Sequence, residues 1–329
     1  MIAACRCWWQ KEGRYPLQNH KVDPSSLWAW IFAGVSAPLA QGAGRSSWLT
    51  VLITGVVCGA ACLWVLAAAD KRCFHAGWYS AVQTLWLALV TGVLARWSVM
   101  CWPTADGFPV VGLTLLVLAV FASWGGAQRA SRCISALFWL LALLYAVILA
   151  AGTQDLNLRY MTPTAQPFSV LPVVLFLLPA VAGFLPCTKR RKIVPLVGVS
   201  LFATVLSLWT IGTLSAKVTA QLKEPFYAFS RSLTLFGVAE RFESVVSVAL
   251  TMGYFSLFTF LLCAVYHLTD RVFPGKGRTG VVAAAILALT LMMLVTKISE
   301  MILAAGCVLL WVLLPLALGR KTKKLENWD

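Results

Sequence analysis

Charge is what this sequence has least of, and acidic charge is the scarcer sign. Asp and Glu number 12 in 329 residues against 27 Lys and Arg, and charged residues of both signs make up only 12% of the chain. Beside 60% hydrophobic residues, that leaves too little polar surface to coat a soluble domain of this length, so the chain belongs in a membrane. No Asp, Glu or Lys lies near the middle of any long apolar run. Proton-coupled pumps rely on intramembrane carboxylate or histidine relays, and proton coupling is therefore disfavoured. The three histidines, His20, His75 and His267, fall in the N-terminal tail or near the ends of apolar runs, where a solvated or interfacial role is the default.

Other absences narrow the function. There is no H-E-x-x-H, no G-x-S-x-G and no histidine deep in an apolar run, so an intramembrane enzyme lacks its nucleophile, base or metal ligands. The ten cysteines are scattered, and Cys58, Cys62, Cys263 and Cys307 sit in apolar runs as small hydrophobes, which gives no disulfide framework. Cys5 and Cys7 form a lone C-x-C without the second ligand pair of a structural zinc site. The first 26 residues are polar and include Asp23 and Pro24, unlike a cleaved secretory leader. A net charge of +15 raises the question of nucleic acid, but no separate basic domain carries a binding motif; contact with anionic membrane lipid accounts for it.

What is present is a pattern of positive charge. Nineteen of the 27 Lys and Arg fall in alternate gaps and at both ends: Arg6, Lys11, Arg14 and Lys21; Lys71 and Arg72; Arg129 and Arg132; the run at 189–192; Arg271, Lys276 and Arg278; and Arg320, Lys321, Lys323 and Lys324. Cytoplasmic loops retain Lys and Arg, so these stretches and both termini are expected inside, with an even number of spans. Ten segments are apolar and about long enough to cross, near 27–42, 47–69, 78–101, 108–127, 132–152, 169–187, 193–214, 244–268, 280–297 and 301–318. The expected organisation is a tail over 1–26, a ten-helix membrane domain over 27–318 and a basic tail over 319–329.

Two segments differ from their neighbours. The first is short and interrupted by Gly34, Ser36 and Pro38; the sixth carries Pro172, Pro179, Gly183 and Pro186. They occupy matching positions if the chain is two inverted halves of five, and interrupted helices at matching positions point to a binding site near the midplane. The eighth segment adds a polar line, Ser244, Ser247, Thr251 and Tyr254, with Val245, Val248, Leu250 and Phe255 directed elsewhere. Such a face belongs inside the bundle, where interhelical hydrogen bonding explains it as well as a ligand does. Tyr79, Gln83 and Trp86 form a similar line on the third segment. The pocket residues expected from position are Gly34, Ser36, Pro38, Pro179, Thr251 and Tyr254. Small residues at the first break let a ligand carboxylate approach exposed amides, and Tyr254 offers a hydrogen bond.

The stretch over 224–255 reads EPFYAFSRSLTLFGVAERFESVVSVALTMGYF and runs without pause into the eighth span. Its pattern of Arg231, an apolar stretch, then Glu240, Arg241, Phe242 and Glu243 opening the helix resembles the spore germination permease family, the B subunit of germinant receptors. Further matches are the turn at 44–48, the GGAQRASR stretch after the fourth span, which looks like that family's Gly-x-x-x-x-Ala-Arg turn, and residues 155–163. The resemblance covers about 25–320. It implies an all-α fold of ten transmembrane helices of the amino acid–polyamine–organocation type, two inverted repeats of five with broken first and sixth helices. It also implies sensing of small nutrients such as amino acids in a spore inner membrane, beside A and C subunits. Many members of that family carry an acidic residue in the sixth span, and none stands between positions 169 and 187 here.

Arg231, Glu240, Arg241 and Glu243 sit where the chain re-enters the bilayer. Acidic groups near a helix start are favoured by its dipole, so they read either as anchors or as an outer gate or partner contact. Two functions remain. One is a permease-like sensor in which a nutrient stabilises one arrangement of the broken helices. The other is a secondary transporter for amino acids, with a sodium ion held by first-span carbonyls and eighth-span hydroxyls. The missing carboxylate and the resemblance favour the sensor.

Overall fold

The computed structural model describes residues 47–68, 77–98, 110–162, 174, 178, 189–222, 225–233, 243–294 and 300–317. Among them the chain is helical, with no strand: α1 (Ser47–Ala68), α2 (Gly77–Trp97), α3 (Val110–Ser123), α4 (Gly126–Gly152), α5 (Lys189–Leu214), α6 (Ala216–Gln221), α7 (Pro225–Ser232), α8 (Glu243–Val272), α9 (Gly277–Leu294) and α10 (Glu300–Val308). A π-helical segment, Leu309–Leu313, prolongs α10. These helices occupy the expected second to fifth and seventh to tenth spans. The expected first and sixth spans lie outside the described residues except for Val174 and Leu178, both buried.

Gly77–Trp97, Arg132–Gly152 and Ser244–Asp270 are long and apolar enough to cross a membrane by length and composition, and five shorter apolar helices accompany them. Large apolar side chains also cover the outside of the bundle, among them Trp139, Phe121, Ile302 and Val56. Apolar residues inside and out are the arrangement of a helix bundle solvated by lipid. The protein is a multi-pass membrane protein.

The packing follows an exchange rule. Adding five to each span number turns α1 into α5, α2 into α8, α3 into α9 and α4 into α10. Three helix pairs obey it: α2 packs on α9 as α8 packs on α3, α2 on α3 as α8 on α9, and α4 on α5 as the π segment of α10 on α1, whereas the contact of α3 with α4 has no comparable counterpart between α9 and α10. The broad contact of α4 with α8 has only a slight counterpart, where α2 meets α10 through Trp86 and Cys307. Two of the four pairs that exchange with themselves, α1 with α5 and α2 with α8, are among the most extensively packed. Because five crossings put the second half upside down, the two halves are inverted repeats.

Close approaches set this packing. A Cβ on Gly92 of α2 would lie 2.7 Å from the Ala288 carbonyl oxygen of α9, and one on Gly55 of α1 would strike Ser200 of α5. Small residues at such crossings let helix backbones meet where lipid offers no hydrophobic incentive to associate. At the ends of α2 and α9, the Arg96 guanidinium donates to the Met292 carbonyl at 3.4 Å, serving an acceptor in the last turn of α9.

Two expectations need correction. The GGAQRASR stretch is not a turn: only Trp124 and Gly125 form the turn, and α4 starts at Gly126, whose φ of 71° supplies the change of direction. Arg129 and Arg132 thus ride on the first turns of α4. Nor does the stretch before the eighth span run into it without pause, because α7 is a separate helix with Phe226 and Phe229 buried beneath it.

Candidate functional site

The site is built around α8, the longest described helix, which packs against α2, α3, α4, α7 and α9 at once. Thr251 and Tyr254 lie about one turn apart near its middle. Tyr254 is 1% exposed, its ring 6.0 Å from that of Phe258 and tilted 45° to it. Thr251 is half-buried and donates its hydroxyl proton to the Ser247 carbonyl at 2.7 Å. A threonine whose proton is committed this way keeps its oxygen as an acceptor. Ser256 and Thr259, both fully buried, make the same backward bonds to Met252 and Phe255.

The polar line is only partly inside. Ser247 and Tyr254 are buried, but Ser244 is exposed at the start of α8, and Leu250, expected to point elsewhere, is buried as deeply as Ser247. A helix surrounded by others has no single inner face, so hydroxyl spacing alone does not mark which side meets a ligand. Val174 and Leu178 belong to the same continuous core as Tyr254 and Leu250, so the sixth segment enters that core at the position preceding Pro179. Gly34, Ser36, Pro38 and Pro179 themselves lie outside the described residues.

The line on α2 meets α10. The Tyr79 hydroxyl donates to the Leu310 carbonyl at 2.9 Å, and the Trp86 indole to the Cys307 sulfur at 3.2 Å. Pro315 is the reason the first bond exists. The Leu314 N–H is given to Leu309, in π register, and the next residue is a proline without an N–H, so the Leu310 carbonyl has lost both its α and its π donor. Tyr79 replaces them from another helix.

Of the outer group, Arg231 is in the last turn of α7 and Glu243 opens α8; these helices pack together, and Glu240 and Arg241 lie outside the described residues. A polar feature not anticipated from sequence runs along α5. Ser200, Thr204, Ser207 and Thr210 are all buried at intervals of three or four on a helix that packs on α1, where Thr50 and Thr54 are buried too and Gly55 meets Ser200. Thr204 and Thr210 bond back to Ser200 and Leu206, and the ladder reads as close packing. Its signal, small hydroxyl residues at helical spacing, was in the sequence. Among the described residues no group of three or more His, Cys, Asp or Glu could hold a metal ion.

No family model matches the sequence, and no curated protein is similar to it. The fold does have counterparts. A substrate-bound, outward-open Na+-coupled sialic acid symporter with a novel Na+ site is similar over 89% of this chain and 77% of its own, at 10% identity and TM-score 0.59. A nucleobase-cation-symport-1 family transporter, in a closed conformation with bromovinylhydantoin bound, is similar over 87% and 75%, at 12% identity and TM-score 0.56. The chain therefore has the all-α, inverted-repeat fold of these membrane transporters.

Proposed function

We propose that this chain is a permease-like membrane subunit that binds a small nutrient, an amino acid by class, in a midplane pocket, and signals as part of a spore germinant receptor. The observation that carries the binding half is the likeness to transporters caught with small molecules bound, over nearly nine-tenths of the chain. In this reading the pocket is made by Thr251 and Tyr254 of α8 together with Gly34, Ser36 and Pro38 of the first span and Pro179 of the sixth. Broken helix ends there offer unpaired amides to a carboxylate and unpaired carbonyls to a cation.

The receptor half rests on the resemblance of the stretch leading into α8 and on the lack of a carboxylate in mid-span. Arg231, Glu240, Arg241 and Glu243 then form an outer gate or the contact with an A or C subunit. The tails over 1–26 and 319–329 flank the ten-helix domain over 27–318 on the cytoplasmic side of the spore inner membrane or cell membrane. A second reading is an amino-acid secondary transporter of the same fold, favoured by the symporter activity of the sialic acid protein; a sodium ion would then sit on Thr251 and first-span carbonyls.

The test is reconstitution of the purified chain, with uptake of labelled amino acids measured with and without a sodium gradient beside equilibrium binding. Saturable binding without gradient-driven uptake is expected. Saturable uptake driven by the gradient would replace the receptor with the transporter, and failure of every amino acid to bind would overturn both.

A further inference from the structure

Where α2 meets α10, buried polar groups are left over by the bonds of Tyr79 and Trp86. Ser80 Oγ, Gln83 Nε2 and Trp311 Nε1 are all buried with no hydrogen-bond partner among the described residues. Their side chains are 0%, 2% and 6% exposed. Tyr79, Gln83 and Trp86 share one face of α2, and the outer two reach Leu310 and Cys307 of the α10 segment. Gln83, between them, is on the face that meets α10. Trp311 follows Leu310 directly, inside the π turn, and belongs to the same core as Tyr79.

We propose that this seam is a second polar binding site that takes a neutral acceptor oxygen on the Gln83 amide and the Trp311 indole N–H. An amide NH2 and an indole N–H can only donate, so the complementary group is an acceptor. No charged residue lies between positions 77 and 95 or between 301 and 317, and a carboxylate would be buried without a counter-charge. The ligand is therefore uncharged: a water, or the carbonyl or hydroxyl oxygen of a small polar solute. Ser80, one turn before Gln83, can donate to the same oxygen or accept from it. The wide π turn, a geometry that recurs at functional sites, opens the backbone beside it.

The test uses the full chain in lipid nanodiscs, labelled with fluorotryptophan, with the Trp311 resonance assigned by Trp311→Phe. A water in the seam gives that resonance a solvent-isotope shift in deuterium oxide. A solute site gives a saturable shift on titration with acetamide. Gln83→Leu should abolish the isotope shift or weaken acetamide at least about tenfold, while the Trp86 resonance reports an intact bundle. If Gln83→Leu does not fold, Ser80→Ala should weaken the same response about threefold. Absence of both responses, or a response unchanged in Gln83→Leu or in Ser80→Ala, overturns the proposal.

Discussion

Replacing Tyr79 with Phe removes one oxygen from a fully buried ring and leaves the packing volume almost unchanged. What it costs depends on whether the Leu310 carbonyl has another donor. Interhelical hydrogen bonds in membrane bundles average about 0.6 kcal/mol, because the separated helices find other partners. Leu310 is the unfavourable case: Leu314 serves Leu309 and position 315 is a proline, so its carbonyl is left buried and unpaired. An orphaned buried acceptor costs about 1–3 kcal/mol, and we expect Tyr79→Phe to lose about 1.5 kcal/mol. Pro315→Ala restores an N–H one residue beyond Leu314. In that background the loss should fall to about 0.5 kcal/mol, a coupling of about 1 kcal/mol. The assay is reversible unfolding of the full chain in mixed detergent micelles, run as a double-mutant cycle. An equal loss in both backgrounds would refute the assignment of Pro315 as the cause of the Tyr79 bond.

Further outcomes follow from the same geometry. Gly92→Ala places a methyl against the Ala288 backbone, which cannot rotate away, and should cost about 1–3 kcal/mol in that unfolding assay; Gly59→Ala, with nothing within 4 Å, should be neutral or slightly stabilising. Tyr254→Phe should weaken amino-acid binding about tenfold in equilibrium titrations while unfolding shifts by less than about 1 kcal/mol, and a larger stability loss without an affinity change would return Tyr254 to the core. Gly34→Leu should abolish ligand response and leave membrane insertion, measured by flotation and protease protection, intact.

Most of the bundle was legible because lipid imposes simple rules. Apolar runs of spanning length located α1 to α5 and α8 to α10, and the inverted halves were what the span count and the resemblance implied. Local boundaries were less legible. The arginines of GGAQRASR suggested a loop, but an arginine on the first turns of α4 reaches the interface as easily as one in a turn, so charge marks the side of the membrane rather than the end of a helix. On α8 the hydroxyl spacing correctly implied burial for Ser247 and Tyr254, yet Leu250 is buried too because neighbours surround this helix. Pro315 stood in the tenth apolar run from the start. Its consequence for Leu310 needed the partner on α2, 231 positions earlier in the chain, and spacing within one helix carries no such information.

The proposed function turns on a small nutrient binding beside Thr251 and Tyr254 of α8. It is tested most directly by equilibrium binding of labelled amino acids to the purified chain in nanodiscs, comparing the native sequence with a Thr251→Val, Tyr254→Phe double variant. Saturable binding of at least one amino acid by the native chain is expected, with a loss of about a hundredfold in the double variant and unfolding little changed. Binding of equal affinity in both proteins, or none in either, would contradict it.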